Sequence, residues 1–186
     1  IAGGKYTTYR VMAQDAVDVA VSDLRRIVPE SCTATLPIVG ADGYQVLKNK
    51  VETLAEEYKL FNETVTHLLE RYGSLVEDIF ELIIEDPQLR TPISSQALNI
   101  KAEIVYAATH EGARSVDDVI SRRTRLSFEL GDHGASIAQE VGSLIAPVLG
   151  WSASDQKKSV NLYLDQISRE VAALKAVKPK AKSKVS

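Results

Sequence analysis

Apolar residues recur at three- and four-residue spacing along almost the whole chain, and this period most limits what the chain can fold into. Tyr9, Met12, Ala13, Ala16, Val17, Ala20, Val21, Leu24 and Ile27 make one stripe, with Thr7 and Thr8 placed to cap it and Pro29 to end it. Residues 29–43 hold two prolines and two glycines and read as a loop. Val46, Val51, Leu54, Ala55 and Tyr58 mark a second helix, and a third runs from Thr64 to Tyr72 with Gly73 as its stop. A fourth spans Leu75 to Glu85 and is closed by Asp86-Pro87. Ile100, Ile104, Val105 and Ala108 give a fifth. Ser115, with Asp118 three residues on, has the pattern of a capping box and opens a sixth through Val119, Ile120 and Arg123. A seventh runs from Ile137 to Val148. Ser152 and Asp155 repeat the capping pattern before an eighth, which carries Val160, Tyr163, Leu164, Ile167, Val171 and Leu174 on one stripe. No period-2 strand pattern stands out. The expected fold is all-α, an irregular bundle of about seven or eight helices with no substantial sheet.

The chain's 186 residues suffice for one domain with a real core. Its single cysteine, Cys32, excludes an internal disulfide framework and a cysteine zinc cluster. No run approaches ~18 consecutive apolar residues, so a transmembrane helix is not expected. The net charge of -3 conceals an asymmetry. The last 12 residues, KAVKPKAKSKVS, hold five lysines and no acid. Without those five, 17 of the 22 basic residues face all 25 acidic ones, a net of -8 for residues 1–174. An acidic body argues against a nucleic-acid partner. Residues 175–186 cannot bury enough apolar surface to offset ordering and are expected to be a disordered, solubilising tail. The same lysines could also touch an anionic membrane surface, at ~1 kcal/mol each.

Two segments invite a chemical reading. Gly3-Gly4-Lys5-Tyr6-Thr7-Thr8 leads straight into a helix. Glycines let a backbone approach a ligand, a helix start presents unpaired N–H groups, and Lys5 adds a positive charge. That combination suits a phosphate or a ring that gathers negative charge, or it is an ordinary turn and cap. It is neither a P-loop nor GxGxxG, because the spacing and the residue after Lys5 are wrong. The second segment runs from His110-Glu111-Gly112-Ala113-Arg114-Ser115 to Arg122-Arg123-Thr124-Arg125. Arg114 stands where a zinc protease needs its second histidine. His67, His110 and His133 share no ligand spacing, so no metal site is expected. The arginines and acids of this segment read as an ion-pair hinge between two helices, with phosphate binding by Arg122 and Arg123 as the sharper alternative. Cys32 has no placed histidine partner. Glu77, Asp78, Glu81, Glu85 and Asp86 read as the exposed face of a short helix, and Trp151 as a core anchor.

The words GGKYTTYRVMAQDAVD, then ERYGS, then EIVYAATHEGARSVDDVISRRTRLSF, in this order and spacing, resemble the C-terminal part of FAD-dependent, quinone-linked glycerol-3-phosphate dehydrogenase. The resemblance covers most of residues 1–174 and implies the following. Residues 1–8 would be the end of an FAD-binding domain, 9–174 a helical C-terminal domain, and 175–186 the lysine-rich tail. Gly3, Gly4 and Thr7 would contact FAD, and Lys5 the substrate. The reaction would be oxidation of glycerol 3-phosphate to dihydroxyacetone phosphate, with electrons passed to quinone. A glycerophosphate oxidase that uses oxygen, or a helical module that docks subunits or membrane, are the alternatives. The expected partners are the FAD domain of its own chain, a membrane surface and a second copy. The expected location is cytoplasmic, peripheral at the inner face of the cytoplasmic membrane. The chain by itself is expected to be an inactive fragment. Tyr6 departs from the Leu of the family pattern. Gly112 departs from a larger residue and is expected to loosen its helix by ~1 kcal/mol.

Overall fold

A computed structural model describes residues 2–176. In chain order the helices are α1 (Tyr9–Val21), α2 (Tyr44–Lys48), α3 (Val51–Tyr58), α4 (Asn62–Tyr72), α5 (Val76–Glu85), α6 (Lys101–Thr109), α7 (Leu126–Glu129), α8 (Ala138–Leu149) and α9 (Ala153–Ala176). A π-helical segment, Asp118–Arg123, lies between α6 and α7. Among the described residues no strand forms, and one antiparallel bridge joins Pro92 to Ile100. The all-α expectation is met, with nine α-helices among the described residues in place of seven or eight.

The core has two parts, and α6 separates them. Ile104 and Ala107 pack on one side with Val116, with Val119 and Ile120 of the π segment, and with Val141, Ile145 and Tyr163 of α8 and α9. Ala102 and Tyr106 pack on the other side with Val65, Leu68, Ile79, Phe80 and Ile83 of α4 and α5. A helix apolar on both faces belongs in the middle of a bundle. Trp151 sits against the first part, where its N–H bonds to Ala146 beyond the helix stop at Gly150.

One polar residue interrupts α6. Glu103 has no exposed surface. Its Oε1 accepts from Tyr72 Oη at 3.1 Å and Asn99 Nδ2 at 3.0 Å, and lies 3.0 Å from His67 Nε2. Its Oε2 accepts from the Ile100 N–H at 2.7 Å, satisfying a donor at the helix start. The carboxylate therefore joins α4 to α6 through four neighbours. Burial disfavours the charged form of His67, but the hydrogen bond and charge of Glu103 outweigh it; Arg71 opposes the shift and Glu129 assists it, leaving the histidine pKa raised. Burial first, and Glu103 second, push the Tyr72 phenol pKa upward.

Several boundaries differ from the periodic reading. The stripe running to Ile27 yields a helix only to Val21, because no residue of α1 is buried against anything that would hold a longer one. The helix expected over 46–58 is two helices that bend at Asn49-Lys50, so that Leu47 and Leu54 both reach the second core part. The sixth helix winds as π, with the Thr124 N–H bonded to Val119 O at 2.9 Å. Gly112 does not loosen a helix: α6 ends at Thr109, and Gly112 occupies the turn beyond it at φ 68°, where a side chain would be strained. Gly40 and Gly73 meet back to back: Ser74 N–H bonds to Gly40 O at 2.9 Å, and a Cβ on Gly73 would collide with that same carbonyl. This contact fastens the end of the 29–43 loop to the end of α4. Residues 177–186, most of the expected lysine tail, lie outside the described residues.

Two outcomes are expected. Glu103→Ala strands Tyr72, Asn99, His67 and the Ile100 N–H, and should lower unfolding free energy in urea by about 3–5 kcal/mol. Because the folded His67 pKa is raised, its stabilisation is complete below the free-histidine value of about 6.5 and is lost as pH rises through the folded value. Urea unfolding at pH 6 and pH 8.5 should show the unsubstituted chain losing more stability with pH than His67→Gln does.

Candidate functional site

The residues singled out at the N-terminus form one short exposed stretch. Lys5 is extended, at φ -86° and ψ 107°, and precedes a 3-10 turn, Tyr6–Thr8, that runs directly into α1. The Thr8 N–H and Oγ1 both donate to Lys5 O at 3.1 Å. Thr8 therefore closes the turn backward and does not cap α1 with its side chain, contrary to the capping expectation. The Tyr6 and Thr7 N–H groups open the turn and find no backbone acceptor among the described residues. Neither Gly3 nor Gly4 needs a left-handed conformation. Gly3 lies against Met12, so a Cβ there would meet the methionine side chain, whereas Gly4 has open space around it. Lys5 forms no ion pair among the described residues. Gly3, Gly4, Lys5 and Thr7 are thus together and exposed, with two N–H donors and one ammonium unspent.

Sequence reading missed what lies behind this turn. The loop that follows α1 turns back on it and forms a cleft of about 580 Å³, lined by Tyr9, Ala13 and Val17 from the helix and by Cys32, Leu36 and Ile38 from the loop. Arg10 closes one end by donating to Thr33 O. The apolar face of α1 was legible, but its partner segment has no period to betray it.

The second segment resolves into structural contacts. Ser115 Oγ accepts from the Asp118 N–H at 3.0 Å, and the Asp118 carboxylate accepts from the Arg114 N–H at 3.0 Å. Burial opposes ionisation of Asp118, but these bonds and the Arg122 charge outweigh it and lower its pKa. Arg122 pairs with Asp117 and Asp118 on the same turn. Arg123 Nε donates to Glu111 O at 2.8 Å, and the Val116 N–H donates to Ser159 Oγ of α9 at 3.1 Å. Of the arginines expected to form an ion-pair hinge, Arg122 alone pairs with acids, on its own turn, and Arg123 ties the π segment to the Glu111 carbonyl beyond α6. Burial raises the Glu111 pKa against the opposing charges of Arg71 and Arg123. No hydrogen bond or ion pair among the described residues joins this segment to residues 2–8. The three histidines lie in separate surroundings: His67 at Glu103, His110 stacked on Tyr106 with ring centroids 4.5 Å apart, and His133 bonded to Ser127 O. No group of three or more histidine, cysteine or acidic side chains among the described residues could hold a metal. No helix of the described residues is long and apolar enough to cross a membrane.

Comparison with known proteins gives these features a family. The model for the C-terminal domain of alpha-glycerophosphate oxidase matches residues 31–156. The chain is similar to glycerol-3-phosphate dehydrogenase 2 of Mycobacterium tuberculosis, at 44% identity over 171 residues, covering 92% of this chain and 29% of that protein. It is similar to glycerol-3-phosphate dehydrogenase of Mycobacterium leprae, at 42% identity over 196 residues, covering 100% of this chain and 34% of that protein. Glycerol-3-phosphate dehydrogenase of Synechocystis is 31% identical over 163 residues, covering 87% of the chain and 29% of its own length. The chain thus spans about a third of the length of these relatives. No solved structure matches it. From the matched residues, the chain belongs to the family of the C-terminal domain of alpha-glycerophosphate oxidase.

Proposed function

We propose that this chain serves as the helical C-terminal part of a flavoprotein that oxidises glycerol 3-phosphate to dihydroxyacetone phosphate, and that its exposed N-terminal turn completes the flavin site. The observation that carries this reading is the pairing of relatives named glycerol-3-phosphate dehydrogenase with a turn whose hydrogen-bonding groups are unspent. Gly4 leaves room for a planar ring to approach the backbone, and the free N–H groups of Tyr6 and Thr7 suit an edge that becomes negative. These residues therefore fit FAD, which when bound supplies the hydride acceptor for carbon C2 of the substrate.

In this reading Gly3 and Gly4 hold the flavin through backbone, and Thr7 supports it at the helix start. The positive end of the α1 dipole points to the same place and favours negative charge there. Lys5 neutralises charge on the substrate, either at its phosphate or at the reacting oxygen. In this reading the electrons pass on to a quinone, as the resemblance to the quinone-linked dehydrogenases implies. The α1 cleft and the exposed turn face the rest of the same chain, so that the isolated 186 residues neither retain flavin nor turn over substrate.

Lys5→Ala in the full-length protein should lower kcat/KM by about 10²-fold or more while leaving the unfolding midpoint unchanged. A rise in KM alone would place Lys5 at the phosphate, and a fall in kcat would place it at the reacting oxygen. Unchanged kinetics would remove Lys5 from the site.

A further inference from the structure

The turn that joins the 29–43 loop to α2 contains a bond pattern open to rearrangement. Aspartate stands before glycine at one place in the chain, Asp42-Gly43, and no asparagine does. Glycine has no Cβ, so its nitrogen can approach the preceding side chain without a clash. Every other aspartate is followed by a residue with a side chain. Asp86 is followed by Pro87, which has no N–H to give up.

The fold leaves this pair free. Asp42 is exposed, and its carboxylate joins no ion pair and no side-chain hydrogen bond among the described residues. The Gly43 N–H finds no backbone acceptor among them either. Other turn carboxylates are held in place. Asp132 accepts from the Gly134 N–H at 2.9 Å and the Ser136 N–H at 2.8 Å. Asp155 accepts from the Ser152 N–H, and Asp118 from the Arg114 N–H, each at 3.0 Å. Such bonds fix the carboxyl group, and Asp42 lacks that restraint.

We propose that Asp42-Gly43 converts spontaneously to isoaspartate in the folded chain, and that the product unfastens the 29–43 loop from α4. The Gly43 nitrogen gives up its proton and bonds to Asp42 Cγ, while the carboxyl hydroxyl leaves with a proton as water. The five-membered imide then takes up one water. Opening at Cγ restores aspartate. Opening at the Asp42 main-chain carbonyl leaves Gly43 joined through Cγ and Cβ, with the free carboxylate on Cα. Mass is unchanged, and neither an oxidant nor a reductant is needed.

The consequence follows from where the turn is tied. Upstream, Gly40 O accepts from the Ser74 N–H at 2.9 Å. Downstream, Gly43 O accepts from the Val46 and Leu47 N–H groups at 3.0 and 3.1 Å, and Tyr44 and Leu47 pack on the second core part. One added main-chain carbon lengthens the path between these ends by about 1.5 Å. Gly40 and Gly73 already meet with no room for a Cβ, so the added length cannot be absorbed toward α4. The single bond at Ser74 yields before α2, which the core backs.

The test is incubation of the 186-residue chain at neutral pH in water enriched in heavy oxygen. The unfolded peptide of residues 41–47 and the Asp42→Glu chain are incubated beside it. Ring opening takes its oxygen from solvent, so each event leaves one heavy oxygen in the segment that holds Asp42. The expected result is label and a second chromatographic isomer of that segment, at a rate within about tenfold of the free peptide. Both should be missing from Asp42→Glu, whose longer side chain would have to close a six-membered ring. No label, a rate in the folded chain more than about tenfold below the peptide, or equal labelling at other aspartates overturns the modification. In the isomerised fraction the Ser74 amide should exchange with deuterium about tenfold faster or more. Exchange equal to that of the fresh chain overturns the release of the loop. Asp42 is exposed and belongs to neither core part, so Asp42→Glu keeps the fold. These readouts are label and exchange, not turnover, so they can fail separately from the flavin reading.

Discussion

A carboxylate with no exposed surface is the constraint on which the bundle depends. Left without partners, Glu103 would be far too costly to bury, so its side chain admits only arrangements that bring it His67, Tyr72, Asn99 and the Ile100 N–H together. A shift of α4 against α6 by one turn would take both the histidine and the tyrosine from the carboxylate. The carboxylate thus fixes the end of α4 against the start of α6, on the side of the second core part.

What could be read from the sequence followed directly from the 3.6 period. Five of the eight expected helices, and the Ser152–Asp155 cap with its reciprocal 3.0 and 3.2 Å bonds, stand close to where spacing put them. The misses have physical causes. A π turn carries an apolar pattern that a shorter period imitates over six residues, as at Asp118–Arg123. The four residues of α7 are too few for any period to show. Glu103 sits in an apolar helix as a lone acid, and its partners lie up to 36 residues away in sequence, so nothing local announces its burial. The N-terminal turn was legible as a cluster because Gly3, Gly4, Lys5 and Thr7 are contiguous. Its exposure, and the cleft between α1 and residues 28–39, depend on chain reversal that composition does not encode.

The chain also divides by how its surface is used. Residues 2–39 contain no buried side chain, while α3 to α9 enclose both core parts. The family match begins at Ser31, beyond α1, and ends at Gln156, so it takes in most of the self-sufficient part but not Val160, Tyr163 and Ile167 of α9. A helix that buries nothing within its own chain has not yet used its apolar stripe, and stability for that stretch has to come from elsewhere.

The π segment has a consequence for how this domain can change over time. A π turn is an α-helix holding one extra residue. Removing one residue from Asp118–Arg123 would cost the five-residue span of the Thr124 to Val119 bond and shorten the path to Leu126, which is fully buried. Insertions and deletions here should therefore be far more harmful than substitutions. The length of this stretch, more than its composition, should be what descent holds constant.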